Sequence, residues 1–101
     1  MSIVMHMKWT GGTKEQYDAM REEVKWETDL PEGGIYHVAA LDDNGLRITD
    51  VWESAEDFNR FIEHKINPAV AKLGIPGGPE VEILPVYAIN DAANKRAEMV
   101  A

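Results

Sequence analysis

Two histidines and one aspartate stand out as groups that could move a proton. His37 and Asp50 fall on segments that read as the two strands of one hairpin, and His6 falls on a strand near the start of the chain. A carboxylate beside an imidazole fixes its tautomer and favours its protonated form, which is what a general base needs near neutral pH. Such a pair could equally satisfy its own hydrogen bonds in a polar interface. Two histidines and a carboxylate would also suit a non-haem iron centre, but the three residues come from separate strands with no tight ligand spacing, so no metal is expected. Around this catalytic set, His37, Asp50 and His6, four residues could shape a substrate site. Trp52 and Ile48 share the alternation of Asp50 and could wall an aromatic molecule, while Tyr36 and Tyr87 could donate to a developing oxyanion. Packing in a core or an interface is the competing role for Trp52, and a hydroxyl at the rim is the competing role for each tyrosine. His64, beside Glu63 and Lys65, reads as a solvated group on a helix flank. Gly11-Gly12 and Gly77-Gly78 lack the flanking residues of a phosphate cradle and read as turns.

The elements that must position these groups follow from periodicity and punctuation. Ser2 to Trp9 alternates, with Ile3, Met5, Met7 and Trp9 on one side, and predicts a strand. Thr13 and Gln16 form a capping box, and Tyr17, Met20 and Val24 recur at helical spacing, so a helix spans about residues 14–25. Ile35 to Leu41 and Leu46 to Glu53 flank Asp42-Asp43-Asn44-Gly45, a hairpin signal read as a two-residue Asn44-Gly45 turn. Ser54 caps a second helix whose stripe is Phe58, Phe61, Ile62 and Ile66, and Asn67-Pro68 interrupts it, with Asn67 capping a short segment that ends at Gly74. Val81 to Ile89 is a last strand whose Pro85 suits an edge, and residues 90–101 read as a frayed tail behind a single domain of residues 1–89.

Strand, helix, strand, strand, helix, strand is the ferredoxin-like order of an α+β fold, a four-stranded antiparallel sheet with helices on one face. With the Asn44-Gly45 turn, Ile35, His37, Ala39 and Leu41 share a face with Leu46, Ile48, Asp50 and Trp52, and His37 lies diagonal to Asp50. Tyr36, Val38, Ala40, Thr49 and Val51 hold the other face. Both faces are mostly apolar, so a second copy of the sheet is expected to cover the one that the helices leave open.

Composition narrows the partners. The chain has 101 residues, no cysteine, 10 basic and 18 acidic side chains, and a formal charge of −8. One core of this size is expected, without a disulfide framework, a thiolate metal site or a cysteine nucleophile. The acidic excess removes the electrostatic term for nucleic acid and anionic membranes. No apolar run reaches the roughly 20 residues of a bilayer span and the first residues lack a signal-peptide pattern, so a cytoplasmic setting is expected.

The run Asp50-Val51-Trp52-Glu53-Ser54-Ala55-Glu56-Asp57-Phe58, where a strand ending in Trp-Glu-Ser feeds a capped helix with an early Phe, resembles the dimeric α/β-barrel superfamily. Antibiotic-biosynthesis monooxygenase-like proteins, isomerases, polyketide cyclases and stress-response barrels belong to it. That resemblance implies a homodimer whose two sheets face each other around a small-molecule lumen. It also implies a small cofactor-independent enzyme of monooxygenase, cyclase or isomerase type acting on an aromatic or polyketide-like molecule. The alternatives are a non-catalytic homodimer that binds a small ligand or is structural, and a haem-degrading relative. The superfamily hosts many reactions, so none transfers by resemblance alone.

Overall fold

The structure, a computed structural model, describes residues 1–26, 28–76, 78–91 and 96–99, with Asp91 and residues 96–99 described by their backbone alone. Four strands, β1 (Ile3–Thr10), β2 (Gly34–Asp42), β3 (Gly45–Trp52) and β4 (Glu80–Pro85), form one antiparallel sheet in the order β2-β3-β1-β4. The long crossings between β1 and β2 and between β3 and β4 carry the helices. This is the expected ferredoxin-like α+β arrangement.

Helix α1 (Lys14–Val24) starts on the capping box read from the sequence: the Gln16 amide donates to Thr13 Oγ1 and the Thr13 amide to Gln16 Oε1, each at 3.1 Å. It ends on Lys25, whose φ of 59° makes it the one non-glycine in the left-handed region among the described residues. A left-handed residue is a common helix stop, usually glycine because a Cβ is penalised there. The reversal returns the chain over the sheet, where Trp26 packs on His37.

The second helical crossing runs without the break expected at Asn67-Pro68. Helix α2 (Ala55–Phe61), capped by Ser54, passes into a π-helical turn (Ile62–Ile66) and then into α3 (Asn67–Leu73). Asn67 sits in right-handed helical geometry and its amide donates to the Ile62 carbonyl five residues back, so it is not a cap. Proline offers no amide and crowds the preceding turn, and the wider π turn absorbs both. Ile62, Ile66 and the exposed Asn67 thereby all border the same cavity.

Register is the most consequential feature of the sheet. Asp42 pairs with Gly45, so the two residues between them, Asp43 and Asn44, make the turn in place of Asn44-Gly45. The Asp42 carboxylate decides this by accepting from the Asn44 amide at 2.7 Å and the Gly45 amide at 3.0 Å, with Arg47 Nη1 3.2 Å away. A side chain at Gly45 would also collide with the Trp9 carbonyl, 2.3 Å from the Cβ position. A two-residue change in pairing keeps every side chain on its face, because strand side chains alternate with period two. It moves His37 from a diagonal position to one directly opposite Asp50.

These hydrogen bonds, the Asn44 amide first, hold the Asp42 carboxyl below the usual carboxylate range. A carboxyl whose native value is depressed contributes stability above its unfolded value and loses it as pH falls through the native one. Asp42→Asn is therefore expected to cost stability at neutral pH and almost none in strong acid. Urea denaturation of both proteins at the two extremes checks this; a gap that is independent of pH would contradict it.

Between β1, β3 and the helices lies the core of Ile3, Met5, Met7, Val24, Trp52, Phe58, Phe61 and Ala69. The opposite face carries Val4, His6, Tyr36, Val38, Thr49, Val51 and Leu84. Beyond β4 the chain departs from the sequence reading. The segment expected as one strand to Ile89 divides at Val86-Tyr87, and β5 (Ala88–Asp91) pairs with β6 (Arg96–Met99) as a separate two-stranded sheet. Part of the segment read as a frayed tail is thus strand; residues 92–95, 100 and 101 lie outside the described residues.

Candidate active site

Strand alternation and helix α1 together bring four polar side chains into one connected row. Asp50, 4% exposed in its side chain, faces His37 at 19%, and His37 Nδ1–H donates to Asp50 Oδ1 at 2.6 Å. Asp50 Oδ2 accepts from the indole Nε1–H of the fully buried Trp52 at 3.1 Å. On the far side of the imidazole, His37 Nε2 lies 2.7 Å from the Tyr17 hydroxyl. With its Nδ1 proton committed to the carboxylate, a neutral imidazole presents Nε2 as an acceptor, and the phenol O–H donates to it. Both oxygens of Asp50 and both nitrogens of His37 therefore have partners, as buried polar groups require.

Aromatic rings fix this row in place. Trp26 lies against His37 with ring centres 4.7 Å apart, and meets Trp52 edge-on at 5.8 Å and Phe61 edge-on at 5.5 Å. Tyr17 is nearly parallel to His37. Offset and edge-on contacts of this kind each add about 0.5–1.5 kcal/mol beyond the area they bury. Their positional effect matters more, because an imidazole held on three sides keeps one orientation.

Beside the row is a cavity of about 330 Å³, bounded on the sheet side by Met5, Met7, Ile48 and Asp50 and on the helix side by Tyr17, Met20, Phe58 and Ile66. Its size falls in the usual range for small-molecule sites, and its lining is mostly apolar with His37, Asp50 and Tyr17 as convergent polar groups. A proton donor or acceptor on an apolar ligand would find its counterpart only where such groups gather.

The expected site is thus partly assembled and partly corrected. His37, Asp50, Trp52 and Ile48 share the helix-covered face, but Trp52 is buried in the core behind Asp50 and, unlike the other three, does not line the cavity, so it is not the expected substrate wall. His6 does not join them: it pairs with Thr49 on the opposite face, its Nδ1 3.2 Å from Thr49 Oγ1, while its neighbour Met5 takes the place across from Asp50. The two-histidine, one-carboxylate iron set fails for that reason, and among the described residues no group of three possible ligands forms a metal site. Tyr36 also lies on the opposite face, and Tyr87 is 72% exposed beyond the end of β4, so neither touches the cavity. The cavity itself lies between the sheet and helices of one chain and not, as expected, between two sheets. Sequence alone does not mark Tyr17 and Trp26 as members of the site. Tyr17 belongs to the Tyr17-Met20-Val24 stripe, which reads as ordinary core, and Trp26 follows a helix stop that no glycine marks.

Solved structures with the same topology carry the comparison further. SnoaB, a cofactor-independent oxygenase from Streptomyces nogalater, was solved as a point mutant and matches 84% of this chain and 91% of its own at 13% identity and a TM-score of 0.60. A candidate antibiotic biosynthesis monooxygenase from Chloroflexus aurantiacus matches 85% of this chain and 94% of its own at 22% identity and a TM-score of 0.60. The chain has the ferredoxin-like fold of the antibiotic-biosynthesis monooxygenases. A conserved protein from Methanosarcina mazei shares the fold over 83% of the present chain and 91% of its own, at 16% identity and a TM-score of 0.61. No family model matches the sequence, and no curated protein matches it significantly. At these identities the fold alone is what is shared, and the chemistry has to be argued from the row of side chains. No helix among the described residues is long and apolar enough to cross a membrane.

Proposed function

We propose that the chain is a small cofactor-independent enzyme that removes a proton from an aromatic or polyketide-like molecule held in this cavity. The reading is carried by one observation, the continuous hydrogen-bonded row Tyr17–His37–Asp50–Trp52, whose first three members line an apolar cavity. In this mechanism Tyr17 passes its hydroxyl proton to His37 Nε2 as the phenol oxygen takes one from the ligand. Asp50 stabilises the imidazolium that forms, and Trp52 holds the carboxylate in the orientation that reaches Nδ1. A carbanion released in a dry cavity has three outcomes. It can be reprotonated elsewhere, which is isomerisation, or attack a carbonyl of the same molecule, which is cyclisation. Alternatively it reacts with O₂ to a hydroperoxide that loses water to leave a carbonyl, which is oxygenation. The cofactor-independent oxygenase among the structural neighbours supports including the third.

Incubating the protein with polycyclic phenols and β-diketones, in air and without oxygen, tests this. Consumption with oxygen uptake identifies oxygenation, and consumption without it identifies isomerisation or cyclisation. Saturable quenching of tryptophan fluorescence with no consumption of any compound would instead make the chain a non-catalytic binder of small apolar ligands.

The open sheet face supports a homodimer. Tyr36, Val38 and Leu84 on it are 48%, 42% and 44% exposed, and Val4 and Val51 continue the apolar surface between them. A second copy of the same face is the simplest cover, since a two-fold contact is self-complementary. Sedimentation at micromolar concentration is expected to give two chains per particle, and Val51→Asp one. A monomer for the unaltered protein would remove the argument. A cytoplasmic setting fits a chain with no cysteine.

A further inference from the structure

Met5, Met7 and Met20 line the cavity, three of the five methionines in the chain. Met5 and Met7 alternate along the helix face of β1, where strands ordinarily favour β-branched or aromatic residues. Met5 stands directly across from Asp50, which stands directly across from His37, so a thioether occupies the same cross-strand row as the proposed proton relay. Both residues are shielded from bulk solvent, at 1% and 8% exposure, whereas Met1 is 79% exposed. For these two sulfurs the cavity is the route by which a reagent arrives.

We propose that this thioether lining is an oxidation site for apolar organic hydroperoxides, with Met5 and Met7 converted to the sulfoxide by a hydroperoxide that has entered the cavity. A sulfur lone pair attacks the terminal oxygen of ROOH and the O–O bond breaks. The sulfur is oxidised by two electrons to S=O, and the peroxide is reduced to ROH, the proton on the delivered oxygen passing to the departing alkoxide oxygen. Each sulfoxide places a polar oxygen in an apolar wall, where a group without a hydrogen-bond partner is costly. The modified cavity then loses apolar ligands, so a hydroperoxide that enters it switches the site off. This inference rests on the proposed reading only in taking the cavity as the ligand site; it does not need the proton relay.

The test is residue-resolved mass spectrometry of the folded protein after exposure to cumene hydroperoxide or, separately, to hydrogen peroxide. Cumene hydroperoxide, which partitions into apolar space, is expected to add oxygen to Met5 and Met7 several-fold faster than to Met1, and 1-naphthol in excess to suppress it. Hydrogen peroxide is expected to reverse the order. Met1 reacting first with both reagents, or equal rates at all three residues, would overturn the proposal. His37→Gln should be oxidised at the same methionines at the rate of the unaltered protein. Turnover without this labelling sinks the present inference alone, and labelling without turnover sinks the proposed enzyme alone. Circular dichroism after each exposure ensures that the residues scored belong to folded protein.

Discussion

Trp52→Ala is expected to remove a large share or all of the folding stability of the protein. Trp52 is wholly buried and packs against Trp26, Phe58 and Phe61 while donating to Asp50. Truncating a buried Trp to Ala costs about 3–5 kcal/mol through lost contacts and the cavity left behind. Removing the indole N–H also strips a partner from a buried carboxylate, which adds about 1–3 kcal/mol or more. Domains of this size have about 5–15 kcal/mol in total, so the sum takes a large share or all of it. Trp52→Phe helps to separate the two contributions, because it loses the donor but only part of the ring, and should cost the hydrogen-bond part plus a smaller cavity contribution than the alanine variant. Equilibrium urea denaturation of the three proteins gives both numbers. A Trp52→Ala protein within about 1 kcal/mol of the parent would mean that the ring is not the keystone it looks to be.

Much of that keystone was legible beforehand. The Trp-Glu-Ser run placed Trp52 at a strand end, and alternation put it with Ile48 and Asp50 on one face. What sequence could not supply was the register that sets His37 straight across from Asp50. It depends on whether Asp42 closes the turn around Asp43-Asn44, a choice made by a few hydrogen bonds in four residues that offer two nearly equivalent turns. The His6 error has a different origin. Its own alternation already separated it from Met5, and placing it with Asp50 required β1 and β3 to pair one residue out of phase; the observed pairing sets Met5 opposite Asp50. Tyr17 was out of reach for a third reason. A helical stripe announces which face is buried, but not which of its members meets a histidine 20 residues away.

His37→Gln carries the largest expected effect on chemistry. Glutamine approximates the reach of the imidazole and can still donate to Asp50, so the aromatic packing should survive. It cannot accept a proton from Tyr17. General acid–base groups contribute about 10²–10⁴-fold, and a loss of that order in kcat with little change in KM is expected for whichever compound the protein turns over. Asp50→Asn should approach the same loss. An amide N–H aimed at Nδ1 would favour the tautomer whose Nε2 bears the proton, and such an imidazole cannot accept from Tyr17. Tyr17→Phe tests the outer end of the row, because it leaves His37 and Asp50 paired and removes the oxygen that meets the ligand. If kcat survived in His37→Gln while Tyr17→Phe was inactive, the proton would not pass through the imidazole, and Tyr17 would act alone.

The cavity lies between the helices and the sheet of one chain, on the face away from the open one. A site assembled across two sheets would be counted once per pair and would vanish on dilution. This one is counted once per chain. Calorimetric titration should therefore saturate at one ligand per chain whatever the assembly state, with a hyperbolic isotherm, and the ligand should bind as well to a Val51→Asp monomer as to the pair.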